Sequence, residues 1–562
     1  MSLVADLLQP EPAFVLDGAL LGQSLAFAFA TGGTGEDFDR LLCRARLGPS
    51  RFRPESFARD LFLADFVNRC VVVRVDGREH ALQRAQLLRE LSQPPSDVSV
   101  IEFRQTVLRE LAAVPALRAA VERSWLKIRQ VVALLEAQER GKRYDPIARR
   151  MEILRALREA VDALATDFGA AESALSRVHA LAVRVRESTG YRDLENLLDH
   201  EGHLATIDLR VRVARDGQIR GFEIVRAREN VENPLYLAPF RRLFSRLRML
   251  FGGYRVRESE IMGRLANHVF DGMQEAVMAL FQLCLHFEFY LAALSFRDRA
   301  EAAGLRVCLP ELIAGAEAGR TSTEYGALFN PLLLLERRPP RPCDFAAGPR
   351  ALVVITGPNS GGKTRLLQAI GLAQLLAQSG MFVPAARARL GVRDGLFVSL
   401  AQEAAADQPE GRLGMELLRI RRLFEEIGFN TLVIMDELCS GTNPSEGEEI
   451  FQLVVGLLEE LEPQAFITTH FLQFAARLAQ DRPFPGLEFR RVELDARNDP
   501  TYGFVAGVAP TSLAGRTAER LGVTREALEA LVDERKREHG RARSSAPTAS
   551  EQGADESELP PR

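Results

Sequence analysis

Nine consecutive residues restrict this chain more than any others: Thr356-Gly357-Pro358-Asn359-Ser360-Gly361-Gly362-Lys363-Thr364, set between an apolar run from Ala351 to Ile355 and an amphipathic stretch that begins at Arg365. The pattern predicts a strand, a glycine-rich turn and a helix N-terminus. Glycines let backbone N–H groups close around phosphate oxygens, and the helix dipole adds partial positive charge there. Lys363 is then placed to reach the β and γ phosphates, and the Thr364 hydroxyl to ligate Mg²⁺. The expected nucleotide-binding residues are therefore Gly357, Pro358, Asn359, Ser360, Gly361, Gly362, Lys363, Thr364 and Arg365. A glycine-rich turn inside a core, the plainer reading, leaves Lys363 without a purpose.

A second apolar run, Thr431 to Met435, ends in Asp436-Glu437, and a third, Ala465 to Thr469, delivers His470. Two carboxylates at the carboxyl end of a strand beside a phosphate loop divide the work of hydrolysis: the first holds the Mg²⁺ shell and the second polarises the attacking water. Asp436 is thus expected at the metal with Thr364, Glu437 at the water, and Lys363 at the transition-state charge. His470 is expected at the γ-phosphate or that water; a lone histidine after a strand is more often structural, but its place in this order favours the catalytic role.

Four segments stand in a fixed order: Thr356 to Thr364; Ala377-Gln378-Ser379-Gly380-Met381-Phe382-Val383-Pro384-Ala385; Asp436-Glu437-Leu438-Cys439-Ser440-Gly441-Thr442-Asn443-Pro444-Ser445-Glu446-Gly447; and Thr468-Thr469-His470-Phe471. Together they resemble the ATPase domain of the MutS family. Tyr502, Gly507, Ser512, Ala518 and Gly522 resemble its closing pattern, and Phe329-Asn330-Pro331 and Pro342-Cys343-Asp344 its lead-in. The resemblance implies an ABC-class ATPase that uses ATP and Mg²⁺. It also implies a homodimer with each nucleotide held between both subunits, and ATP state coupled to clamping on DNA.

Departures from the family shape that expectation. Gly441 to Gly447 lean toward its second class, which often ends in a Smr nuclease domain; about 25 residues follow Lys536, too few for one, so nuclease activity is not expected. Gly411 stands where the family offers a serine to the partner's γ-phosphate, which leaves a backbone N–H or Arg412 as substitute. No aromatic stands at the position near Pro340 where the family stacks adenine. The N-terminal region carries no Phe-x-Glu wedge of a mismatch-sensing domain, so binding by DNA structure or backbone is expected rather than reading of a single mispair.

At 562 residues, 46% apolar and 26% charged, the chain has the length of about three or four soluble domains. The fold class is read as mixed α and α/β. Residues 1–95 form an N-terminal domain of unassigned role, and 96–310 a helical core or lever with an arginine-rich β-hairpin segment at 205–257. A MutS-like ABC-class P-loop ATPase domain follows at 311–537, and a disordered tail from Glu538 to Arg562. Six cysteines without a C-x-x-C pair, and an N-terminus without a basic leader, fit a reducing cytoplasm. Ala276 to Phe296 nearly suffices to span a bilayer, but Gln282, His286 and Glu288 near its centre favour a buried helix and no membrane.

Leu154, Leu157, Val161, Leu164, Phe168, Ala171, Leu175 and Val178 recur three and four apart, the seam of one long helix or short coiled coil bent at Gly169. Trp125 falls in an apolar helical phase and reads as core. Ile207, Leu209, Val211 and Val213 alternate with polar residues, Asp216-Gly217 supplies a turn, and Ile219 to Val225 returns as the second strand of a hairpin. Arg210 to Arg257 holds twelve arginines against four acids, a local +8 in a chain of net charge -4. That asymmetry marks DNA as a partner, with Arg241, Arg242, Arg246, Arg248, Arg255 and Arg257 the expected contacts. Such contacts act on phosphates and depend on salt more than on base sequence. Asp199-His200-Glu201-Gly202-His203 lacks the spacing of a helical zinc site and is not expected to bind metal.

Two readings follow. The first is a homodimeric DNA-clamping ATPase of mismatch repair or recombination-type DNA maintenance. The second is a nucleotide-switched ABC-type scaffold whose arms bind protein. Transporter ATPases carry a Leu-Ser-Gly-Gly signature that is absent here, and the 73 positions from Lys363 to Asp436 are too few for the coiled coil of an SMC-type ATPase.

Overall fold

The computed structural model describes residues 4–32, 38–137, 146–203, 206–213, 219–228, 255–314, 321–336, 339–400, 412–439, 443–510 and 523–544; for 200–203, 206–213, 219–228, 255–261, 412 and 538–544 it describes the backbone alone. The first half is helical: α1 (Gly18–Thr31), α2 (Val98–Ala113), α3 (Pro115–Glu136), α4 (Pro146–Asp167), α5 (Ser176–Glu187) and α6 (Thr189–His203). Local chemistry starts these helices. The Asp17 carboxylate accepts from Leu20 N–H, the Asp97 carboxylate accepts from Ser99 N–H at 2.9 Å, and Pro115 opens α3 where its missing N–H costs nothing.

The seam expected of one long helix is packed inward but divided between α4 and α5. Phe168 turns into the core and stacks on Phe287 with ring centroids 5.9 Å apart. The Glu110 carboxylate then takes the N–H groups of Glu172 (2.7 Å) and Ser173 (3.1 Å), which a continuous helix would have spent on its own carbonyls. After α6, β1 (Thr206–Val213) pairs antiparallel with β2 (Ile219–Arg228), the register running from Thr206↔Arg228 to Val213↔Ile219, as the alternation predicts. The predicted turn at Asp216-Gly217 lies outside the described residues.

The 48-residue α7 (Arg255–Ala302) follows. Its span Met262–Ala302 is long and apolar enough to cross a bilayer, yet 94% of its most apolar stretch is buried inside the protein. The polar residues within it find partners on segments far away in the chain. Gln282 accepts from Val15 N–H and donates to Ala13 C=O, both at 2.8 Å, and His286 Nδ1 accepts from Leu7 N–H at 3.2 Å. Burial pushes the His286 pKa down, which keeps the imidazole neutral and able to accept. Glu288 receives Gln83 N–H (2.7 Å), Trp125 Nε1 (3.1 Å) and Arg129 (3.1 Å), so Trp125 is a core residue with a polar duty.

The second half is α/β. Its elements are β3 (Glu311–Ile313), β4 (Thr323–Leu328), β5 (Cys343–Ala347), β6 (Leu352–Thr356), α8 (Lys363–Gln378), β7 (Arg387–Gly391), β8 (Gly395–Ser399) and α9 (Arg412–Glu426); then β9 (Thr431–Met435), α10 (Pro444–Leu461), β10 (Gln464–Thr468), α11 (Leu472–Asp481), β11 (Leu487–Leu494), β12 (Pro500–Ala506) and α12 (Arg525–Ser544). Six strands form one sheet in the order β8-β9-β10-β6-β11-β12, parallel except for β12; a second sheet runs β3-β7-β4-β5. Met435 faces Ile467 and Ile355 faces Thr468 in register, which aligns the carboxyl ends of β9, β10 and β6.

Strand alternation divides the large sheet between two cores. Val353, Ile355, Ile434 and Phe466 join a continuous apolar core that begins at Ala5 and includes the helical half. Leu352, Val354, Val433 and Met435 face a second core with α10 and α11. At the far end α12 continues to Ser544, so the helix passes Glu538, where a disordered tail was expected to begin.

Candidate functional site

Every residue of β6 is buried, and its chain leaves the sheet through the glycine-rich turn into α8. Gly357 has φ 142, and a Cβ there would lie 2.6 Å from Val492 Cγ2; a Cβ on Gly361 would lie 2.7 Å from the same atom. Only glycine lets the turn lie this close to β11. Asn359 and Ser360 are exposed at its tip. Lys363 is buried, and its Nζ donates to the carbonyls of Gly357 (2.9 Å) and Pro358 (3.1 Å). Burial pulls the Lys363 pKa below the ordinary ammonium range, while the charges of Glu437 and Asp436 act to raise it.

Thr364, on the first turn of α8, donates its hydroxyl to Asp436 Oδ2 at 2.5 Å. The other oxygen of Asp436 accepts from Thr468 Oγ1 at 2.5 Å, and Thr468 Oγ1 in turn accepts from Glu437 N–H at 2.8 Å. One buried hydroxyl therefore fixes both carboxylate residues. Glu437 and Cys439 have φ 51 and 63, a left-handed path that sets the bend after β9. Sequence reasoning placed Thr364, Asp436 and Glu437 here and gave Thr468 no role beyond opening the Thr468-Thr469-His470-Phe471 segment; its position at the end of the strand beside β9 and β6 brings it to the site.

His470 is exposed, with its ring tilted against Phe471 at a centroid distance of 4.2 Å, and makes no hydrogen bond to Lys363, Asp436 or Glu437. Arg365 donates to Gln368 Oε1 at 2.9 Å and lines an adjoining cleft of about 330 Å³. Phe329, Asn330, Pro340, Arg341, Tyr502 and Phe504 bound that cleft beside Gly362. Tyr502 is 42% exposed at φ 66, and the Arg341 guanidinium lies 5.8 Å from its ring centroid. Tyr502, from β12, thus shares this cleft with Pro340, more than a hundred residues earlier in the chain.

Gly411 and the arginines Arg241, Arg242, Arg246 and Arg248 lie outside the described residues; Arg255 and Arg257 open α7, where the backbone alone is described. The Asp199 carboxylate of the histidine-containing cluster pairs with Arg158 at 3.1 Å.

Residues 353–529, which contain the glycine-rich turn, Asp436, Glu437, Thr468 and Tyr502, match the family described as MutS domain V. This region of the chain resembles the MutS family. Its relatives include proteins named Endonuclease MutS2. That of Thermomicrobium roseum is 34% identical over 198 residues, 35% of this chain and 25% of the relative. That of Thermus thermophilus is 38% identical over 186 residues, 33% of this chain and 25% of the relative. The Fusobacterium nucleatum protein is 34% identical over 174 residues. The likeness thus spans about a quarter of the relatives' length, and the span matched to the family description holds Lys363, Asp436, Thr468 and Tyr502.

Proposed function

We propose that this chain is an ATP-hydrolysing, DNA-binding protein of the MutS type, a homodimeric clamp in mismatch repair or recombination-type DNA maintenance in the cytoplasm, acting without single-mispair sensing. The observation that carries the reading is the hydroxyl–carboxylate cluster of Thr364, Asp436 and Thr468 beside a glycine-rich turn that ends in buried Lys363. Thr364 and Asp436 are hard oxygen donors already facing each other, a set that fits Mg²⁺; when bound, the ion would neutralise phosphate charge.

In this reading Lys363 exchanges its two carbonyl partners for phosphate oxygens, and Glu437 orients and deprotonates the attacking water. His470 is assigned to the γ-phosphate, and the base sits in the cleft against Tyr502. The ABC-class ATPase forms the second half, and the helical half serves as the lever that carries the arginine-rich segment. The +8 charge of that segment supports DNA phosphates as its target.

The test is ATP turnover by the purified protein with and without branched, mismatched and plain duplex DNA, together with DNA binding over a salt series. Stimulated turnover and binding that weakens steeply with salt are expected. Reversing Arg241, Arg242, Arg246 and Arg248 to Glu is expected to abolish DNA binding and leave DNA-free turnover intact. Turnover indifferent to every DNA, with no binding at low salt, would overturn the clamp in favour of a protein scaffold.

A further inference from the structure

Residues 51–61, outside the span matched to the family, grip the edge of the large sheet on the side of β8. The Arg51 guanidinium meets Asp394 at 2.8 Å, and the Ser56 hydroxyl donates to Glu426 at 2.5 Å. Leu61 is fully buried against α8, where a Cβ on Gly371 would lie 2.6 Å from Leu61 Cδ2. The third polar contact differs from these two. Asp60 Oδ2 accepts the N–H of Leu400 at 2.8 Å, immediately after β8.

The peptide unit that joins Ser399 to Leu400 is therefore held from both edges. Its N–H goes to Asp60, and its C=O accepts from Asp436 N–H at 2.9 Å. Among the described residues β8 is the outermost strand, with no further strand beyond it to fix this end. A carboxylate on the N–H polarises the peptide and strengthens the bond its C=O accepts, so Asp60 acts on the backbone position of Asp436. The two Asp436 oxygens are in turn set by Thr364 and Thr468.

We propose that Asp60 is a positioning residue for the metal-binding carboxylate Asp436, which makes the N-terminal region a working part of the nucleotide site. This rests on the ATPase reading above. The role is distinct from general bracing, since Ser56 and Arg51 touch the same half without touching the peptide that holds Asp436.

The test titrates Mg²⁺ against ATP turnover in the full chain for wild type, D60A, D60N and S56A. D60A is expected to raise the Mg²⁺ half-saturation about fivefold, the net scale of one ordinary hydrogen bond, since Asp60 acts on Asp436 only through the intervening peptide, with Mg²⁺-free ATP binding within about twofold of wild type. D60N keeps an oxygen acceptor and is expected within about twofold of wild type, as is S56A. A D60A titration that overlays wild type overturns the proposal, and so does an equal shift in D60A and S56A. Should D60A fail to fold, amide exchange in the wild type reads the contact directly: Leu400 N–H is expected to be protected, and exchange as fast as an open loop overturns the role. A wild type without turnover overturns the ATPase reading itself, whereas normal wild-type turnover with a flat D60A response removes only the role of Asp60.

Discussion

Two carboxylates, Asp436 in the α/β half and Glu288 in the helical half, are each held by hydrogen bonds from elements distant in sequence, and they are held for opposite ends. Asp436 is half-buried, takes its bonds from two neutral hydroxyls, and stands beside a turn with an exposed tip. Glu288 is buried under Trp125, Arg129 and the backbone of Gln83, and burial pushes its pKa up. Hydroxyls leave the first charge available for a cation, whereas the second is sealed by donors that remove any call for one. The α/β half is arranged around what it is to bind, and the helical half around satisfying itself.

That contrast is broken most decisively at Glu437. Glu437→Gln keeps the shape and hydrogen-bonding reach of the side chain and removes the base, so turnover is expected to fall by about a hundredfold or more. ATP binding is expected to stay within about twofold, because the proposed function assigns the phosphate contacts to the turn and Lys363. Normal turnover by this variant, measured by phosphate release, would remove Glu437 from the mechanism. Lys363→Ala is expected to act on the other quantity and weaken ATP binding itself.

The two halves were also unequally legible. Phosphate chemistry demands particular residues at particular spacings, so the turn from Gly357 to Thr364 and the Asp436-Glu437 pair declare themselves along the chain. Alternation likewise announces the hairpin of β1 and β2. Thr468 and Tyr502 stand in segments that resemble the family, but their contacts, like that of Asp60, arise through strand register or pairing across long stretches of chain and carry no local pattern. The seam of α4 and α5 was visible as apolar periodicity, but the break after Asp167 depends on Phe287 and Glu110, which periodicity does not contain. The same holds for residues 4–16, whose backbone answers the polar side chains of α7 and carries no signal of its own.

In the helical half the sharpest probe is Trp125→Phe, which keeps most of the packing and deletes the N–H to Glu288. A loss of about 2 kcal/mol is expected from the missing bond and the smaller ring. Because burial holds the Glu288 pKa above its ordinary value, the stability this group contributes is complete below that ordinary value and is lost as pH rises through the raised one. The Trp125 N–H favours the carboxylate and works against burial; without it the folded-state pKa rises further. The deficit of Trp125→Phe should therefore widen in urea unfolding as pH rises above the ordinary carboxylate range, while turnover by the folded fraction is unchanged. A deficit constant with pH would show packing alone at work.

Thr468→Val preserves shape and deletes the hydroxyl that links Asp436 to Glu437 N–H, with about a tenfold loss of turnover expected and ATP binding nearly intact. Equal losses in binding and turnover would instead mean that the hydroxyl only supports the fold around the turn.

The smallest effect is expected at Tyr502, where backbone and side chain disagree. A φ of 66 is costly for a residue with a Cβ, and glycine would relieve it. The strain is compensated by what the ring reaches: it lies over Gly362 at the start of α8, faces Arg341, and closes one wall of the cleft. If the ring stacks on the base, Tyr502→Ala should weaken ATP binding about fivefold with little change in maximal turnover, and Tyr502→Phe should restore it, since the π-face and not the hydroxyl makes the contact. Tyr502→Gly separates the two contributions, because it removes the ring and the backbone strain together. A protein more stable to heat and weaker for ATP than wild type would show strain kept for binding; one unchanged in both would leave the cleft without a base to hold.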